Sequence, residues 1–339
     1  MNCTVHPRRR QLGFSLVELM VAMAIGTFLL AGAVTVFGKT RDLYRTNEAA
    51  ARLQETARYA MSTIEADLRM ANYWGLMSRA EAVLNGPQLD LTSPPDVDPA
   101  YSLPADLGAY AATINFCGPM WAVKLPAYVE ANNDAYGYSC DEFGTAVPGS
   151  DQLTIRHAST QIIDAGGLAA SAGQIKLQSN RQSGTLFSGT AIPAGYNPPL
   201  SDTRALVVNG YYVDQDSDQR DGLPSLRRMQ LDVDAGAPVI RDLQIVPGVE
   251  DLQVEFGADL DDDQNADYFV PPNTAIPTGN LIVAVRVWLL VRAEDQETGF
   301  VDGGTYEYGS RVGPAAYIPA DAFRRVLFSK TIALRNTRR

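Results

Sequence analysis

The run Asp259-Leu260-Asp261-Asp262-Asp263-Gln264-Asn265-Ala266-Asp267 puts side-chain oxygens at alternate positions of one loop. A loop that turns around a hard divalent cation presents every second residue to it, so Asp259, Asp261, Asp263, Asn265 and Asp267 are candidate calcium ligands. The run departs from the EF-hand pattern at two points. Gln264 stands where that pattern has Gly, and Val270 where it has the bidentate Glu. The competing reading is a solvated acidic turn between strands. A second acidic run, Asp214-Gln215-Asp216-Ser217-Asp218 followed by Asp221-Gly222, also lacks a completing Glu.

Other chemistry is sparse. The only histidines are His6 and His157, and no GxxxxGK[ST], HExxH or GxSxG motif occurs after the first 13 residues. His157 sits in an alternating strand pattern, where a packed histidine is the simpler reading than a general base. Asp151, just before that strand, reads as a turn residue. Arg324 and Arg325, with Arg335, Arg338 and Arg339, read as a basic cluster on a solvated tail. Cys117 and Cys140 stand 23 residues apart with no CxxC or histidine pair beside them, which argues against zinc. No catalytic residues and no cofactor other than calcium are expected, and the chain is read as a non-enzyme. Its 339 residues are 46% hydrophobic and 20% charged, with a net charge of -11. That composition excludes a disordered or collagen-like chain. It also argues against a nucleic-acid partner, which needs clustered Lys and Arg.

The hydrophobicity is concentrated at the N-terminus. Arg8, Arg9 and Arg10 precede Phe14–Gly38, 25 residues with one charge, Glu18. As a helix this stretch is roughly 35 Å long, enough to cross a bilayer. The basic cluster places its N-terminal side in the cytoplasm and the rest outside it. There the compartment is oxidising, so a Cys117–Cys140 disulfide is expected; closing that loop stabilises the fold by roughly 3 kcal/mol. Glu18 is costly inside an apolar segment and suggests a function.

The helical pattern continues. Leu43, Ala50, Leu53, Ala57, Ala60, Met61, Ile64, Leu68 and Ala71 form one apolar stripe, so one helix is expected from about Phe14 to Tyr73. Gly75 and the series Pro87, Pro94, Pro95, Pro99 and Pro104 end it. Residues 77–150 read as loop-rich. Beyond 150 the chain alternates at 153–157, 206–213, 226–233, 239–246, 252–256, 281–291 and 323–334, with short turns between, which predicts antiparallel strands. The fold class is therefore α+β: a long hydrophobic N-terminal spine helix packed on a mainly antiparallel β-rich head.

The segment Gly13-Phe14-Ser15-Leu16-Val17-Glu18, behind a basic leader, resembles the class III signal of type IV prepilins. Three further stretches resemble the PilW family of minor pilins: Gly248–Asp263, Val283–Glu294 and Phe323–Asn336, together with Ala66–Gly75 at the helix end. They total 52 of the 326 residues beyond residue 13. Residues 77–150 and 160–200 match nothing. The resemblance implies cleavage by prepilin peptidase between Gly13 and Phe14, N-methylation of Phe14, and pairing of Glu18 with the N-terminus of a neighbouring subunit.

It implies a division into a leader (1–13), a transmembrane or filament-core half-helix (14–38), an amphipathic half-helix (39–75) and a periplasmic or extracellular head (76–339). It implies a single-pass inner-membrane protein that moves to the pilus tip, priming pilus assembly. The implied partners are other minor pilins, the major pilin, a PilY-type tip adhesin, prepilin peptidase and inner-membrane lipid. Twitching, adhesion and DNA uptake all remain open as roles of the pilus. A minor pseudopilin of type II secretion, GspJ-like, is the alternative, since it carries the same signal. A surface enzyme or adhesin that shares only the export signal is a third reading.

Overall fold

The computed structural model describes residues 13, 15–86, 89–90, 96–97, 101–197, 200–274, 276 and 281–337, with backbone alone at 42, 89–90 and 96–97. Phe14, the leader arginines, Pro87, Pro94, Pro95, Pro99, Arg338 and Arg339 lie outside the described residues. The chain divides into two compact units, Met1–Ala51 and Arg52–Arg339. Helix α1 spans Leu16–Met70. It ends three residues earlier than the pattern suggests, because Asn72 takes a left-handed conformation (φ 61°) that cannot continue a helix.

In the first unit, α1 shows its apolar residues on every side; Leu16, Phe28 and Phe37 are all more than 70% exposed. Among the described residues it is the one helix long and apolar enough to cross a membrane. Three of its hydroxyls are satisfied internally, as a lipid or apolar bundle requires. The hydroxyls of Thr27, Thr35 and Thr40 donate to the carbonyls of Met23, Ala31 and Val36 at 2.8–2.9 Å.

In the second unit the helix is amphipathic. Leu53, Ala57, Ala60, Met61, Ile64, Leu68 and Ala71 are buried. They recur every three to four residues and so form one stripe. The unit also holds a short pair, β1 (Leu89–Asp90) and β2 (Asp96–Val97), two one-turn helices, α2 (Ala105–Gly108) and α3 (Ala111–Ile114), which bury Leu107 and Ile114 in a second core, and two antiparallel sheets. The seven-stranded sheet holds β3 (Val129–Asn132), β4 (Gln152–Ile162), β5 (Lys176–Ser179), β6 (Gly184–Phe187), β7 (Asp202–Asp214), β8 (Ser225–Asp234) and β9 (Ala237–Pro247). The long β7 pairs with β4, and carries β5–β6 at its start and β8–β9 at its end. The β8–β9 hairpin turns at Ala235-Gly236, both at positive φ (47° and 79°), the geometry of a two-residue turn that suits strand twist. The second sheet has order β11-β10-β12-β13, from β10 (Val249–Asp259), β11 (Tyr268–Val270), β12 (Leu281–Arg292) and β13 (Arg325–Ala333). Leu153, Ile155 and Tyr211 from the first sheet and Leu252, Val254, Val285 and Val287 from the second meet the helix stripe in one core.

Polar groups fix this arrangement. Asn336 donates its amide to the last carbonyls of α1, those of Arg69, Met70 and Ala71, at 3.2–3.4 Å. Asp67 on α1 accepts from Asn209 Nδ2 at 2.6 Å and Tyr211 Oη at 2.5 Å. Its other oxygen lies 3.9 Å from His157 Nε2. Burial pushes the Asp67 carboxyl up, but those three partners hold it below its ordinary value. His157 is thus a packed residue, its Nδ1 2.9 Å from the Ala158 carbonyl.

Two expectations are overturned. Arg324 and Arg325 do not belong to a solvated tail. The Arg325 side chain is fully buried and pairs with Glu250, Asp302 and Asp321 at 2.5, 3.3 and 2.6 Å, tying the loop 293–324 to β10. Arg324 pairs with Glu297. The sequence shows the two arginines side by side, with Asp321 four residues before Arg325, but not Glu250, Asp302 and Glu297, which come from more distant segments. Nor is Asp151 a simple turn residue. It is 1% exposed, and it joins the two sheets by accepting the N–H groups of Asp134 (2.7 Å) and Val254 (2.8 Å).

Burial pushes the Asp151 carboxyl up to about 7; the two N–H groups oppose this, and nearby Asp134 and Asp251 add to it. The folded state therefore binds this proton more tightly than the unfolded state, whose carboxylates titrate near about 4. The resulting stability is complete below that value and is lost as pH rises through about 7. Asp67 has the opposite sign, and its contribution is lost as pH falls below the ordinary carboxylate range. Thermal melts should show a falling Tm from pH 6 to pH 8, with the slope removed in Asp151→Asn. A native Tm that is flat over that interval contradicts the assignment.

Candidate functional site

The start of α1 carries the group that sequence reading singled out. Glu18 lies in the first turn. Ser15 N–H donates to Glu18 Oε2 at 2.9 Å, and Glu18 N–H donates to Ser15 Oγ at 3.2 Å. This is a capping box: two of the N–H groups that a helix start leaves unpaired are satisfied reciprocally. The carboxylate also sits at the positive end of the helix dipole. Gly13 is exposed, and a side chain there would meet nothing within 4 Å. The capping box was legible as Ser-x-x-Glu before an apolar run, but Ser15 was not singled out.

Cys117 and Cys140 form a disulfide. It fastens the end of α3 to the segment 133–143, and Ser139 N–H donates to the Cys117 carbonyl at 3.2 Å. Rings pack edge to face around it, with Tyr136 5.3 Å from Tyr138 and 5.1 Å from Tyr212, and Trp121 5.9 Å from Tyr138.

The acidic loop brings three of its five candidate ligands together. Carboxylate oxygens of Asp259, Asp261 and Asp267 lie within 4.8 Å of one another. Asp263 and Asn265 instead bond each other, Asn265 N–H and Nδ2 donating at 2.7 and 3.0 Å. The loop's own backbone uses these oxygens. Asp259 accepts from Asp261 and Gln264, and Asp267 from Leu260. In the second acidic run, Asp214 is buried and accepts from Gly144, Thr145 and Asp216, while Asp218 pairs with Arg227 at 2.7 Å. These carboxylates organise the turn that leads into β8.

Comparison with known proteins bears on the same segments. Residues 8–34 match the prokaryotic N-terminal methylation motif, and residues 210–336 match the family described as type IV pilus-assembly protein W. Together these two matches support a type IV pilin-like protein whose residues 210–336 form a PilW-type domain. That domain covers β8 to β13 and the end of β7, including the buried Arg325 cluster. The methylation motif lies on the one described helix long and apolar enough to cross a membrane, and the two together suggest a membrane-anchored pilin. A pilin-like protein, PilA3 of Thermus thermophilus, is 42% identical over 72 residues. The match is 21% of this chain and spans only 31% of the relative's length. A solved type IV-like pilin from Thermus thermophilus aligns at 14% identity over 57% of this chain and 82% of its own, with a TM-score of 0.29.

The disulfide closes a 23-residue separation. Replacing both Cys117 and Cys140 with Ser should cost about 3 kcal/mol of head stability in the chain-entropy account. Melts of the native chain with added reductant should fall by the same amount, and those of the double variant should not move. Equal melts for the native and double-variant chains contradict this.

Proposed function

We propose that this pilin-like chain is a minor pilin that helps prime type IV pilus assembly within a tip complex. In this reading, prepilin peptidase cuts between Gly13 and Phe14 and methylates the new terminus. The helix starts in the inner membrane with the head in the periplasm, then passes into a bundle with other minor pilins and the major pilin. A PilY-type adhesin is the expected companion at the tip.

One observation carries the reading: an apolar helix exposed on every side, headed by a single carboxylate, in a chain that also bears a PilW domain. Such a helix needs lipid or other helices around it. Once it is bundled, the Glu18 carboxylate loses water and needs a cation. The α-ammonium created by cleavage of a neighbouring subunit meets that need and sets the axial register. Before assembly, the Ser15 N–H occupies Glu18 within its own chain. The PilW match favours a pilus over a type II secretion pseudopilus.

Glu18→Ala should leave cleavage intact and reduce recovery of pilin subunits with the extracted protein. Glu18→Gln keeps an acceptor for Ser15 but removes the charge, so it should fail in the same way. Native-level partner recovery with Glu18→Gln contradicts the ion-pair role.

A further inference from the structure

The sheets differ in how their outer strands are protected. An edge strand presents unpaired N–H and C=O groups and is normally blocked by the chain itself, by proline, by a bulge or by shortness. At β6 the chain supplies the block. Leu84 N–H donates to the Gly184 carbonyl at 2.8 Å. The Asn85 side chain takes both backbone groups of Leu186, at 2.6 and 2.7 Å. Strand β9 carries Pro238 and Pro247 near its ends, and its pairing with β8 is interrupted by a register shift. Strand β11 has three residues.

Strand β13 has none of these devices. It pairs with β12 from Arg325 to Ala333 in unbroken register and contains no proline. Its outward groups follow from the ladder. Leu334 N–H donates to the Val283 carbonyl, and Ala293 N–H to the Arg324 carbonyl, both at 2.8 Å. Even-numbered residues of β13 therefore bond β12, and the backbone groups of Leu327, Ser329, Thr331 and Ala333 point away. From the described residues, no hydrogen bond reaches the backbone of 327, 329 or 331 on that side. Residues 329–331 are exposed. The strand's one lysine does not guard the edge, because Lys330 Nζ turns onto α1 and bonds Glu65 at 2.6 Å. Arg69 bonds the same carboxylate, also at 2.6 Å. Arg335 is exposed just beyond the strand. Three cations thus flank this edge against one acid, in a chain whose net charge is -11.

We propose that the outer edge of β13 is a docking site for an extended acidic segment of a different pilin-type subunit, which adds to the sheet as a fifth strand. The pairing is backbone to backbone through Leu327, Ser329 and Thr331, a recognised mode of strand addition. The exposed Arg335, with the net positive Lys330–Glu65–Arg69 cluster beside the strand, selects an acidic partner by charge complementarity. The proposal rests on the minor-pilin reading for the kind of partner and on β13 alone for the place.

The test uses the full chain, extracted in detergent from the producing membranes with its bound subunits, and the same chain purified alone. Amide hydrogen exchange is read residue by residue over 325–333. In the isolated chain, Leu327, Ser329 and Thr331 should exchange quickly, and in the complex they should slow by at least about tenfold. Val326, Phe328 and Lys330 should be slow in both. Ser329→Pro removes only an outward N–H and keeps the β12 ladder, a position where an edge strand tolerates proline. It should fold and be processed, yet lose most of the recovered pilin-type subunits, and Arg335→Glu should weaken recovery in the same direction. Unchanged exchange at 327, 329 and 331 in the complex overturns the proposal even if Ser329→Pro fails to fold. So does undiminished recovery with a folded Ser329→Pro, or protection by a second copy of this chain. If the native chain brings down no pilin-type subunit, the minor-pilin reading falls and takes the proposed partner with it.

Discussion

The head depends on one stripe of small and apolar side chains on α1. Leu53, Ala57, Ala60, Met61, Ile64, Leu68 and Ala71 meet the inner faces of both sheets. Three of the seven are alanines, whose small side chains let strands approach a helix closely, while Met61, Ile64 and Leu68 share one core with Ile155, Leu252 and Val287. Without this stripe the two sheets would each expose an apolar face. Its spacing also explains why α1 changes character along its length: an element that meets strands on one side needs a single stripe, whereas one surrounded by lipid or other helices is apolar all round.

Polar groups then specify what apolar packing leaves free. Asp151 joins the sheets through two backbone N–H groups. Arg325 gathers three acids from separate segments. Asn336 closes the end of α1, and Asp67 ties it to β7. Each is a buried or half-buried polar group with at least one partner far away in sequence. Such groups are costly unless satisfied, so each pins the arrangement of several segments at once.

That distance in sequence decides what could be read in advance. The helix and the strands at 153–157, 206–213, 226–233, 239–246, 252–256 and 281–291 were legible because periodicity is local. Strands β3, β5, β6 and β11, of three or four residues, lie among Gly, Ser, Asn and Pro, where no period can establish itself. Glu18 and the two cysteines stood out by type and setting. Asp151 and Arg325 did not, since an acid after a turn and a pair of arginines near a terminus look the same whether solvated or buried. The acidic loops were read for their oxygen spacing; in the first, three of the five candidates come together while their oxygens also accept the loop's own N–H groups.

The central claim is that this chain is a processed subunit anchored by α1 in a pilus complex. Mass spectrometry of the N-terminus of the protein extracted from its native membrane tests this most directly. The account predicts a chain that begins at N-methylated Phe14 and lacks residues 1–13. A chain that retains Met1, or begins at Phe14 without the methyl group, would contradict it.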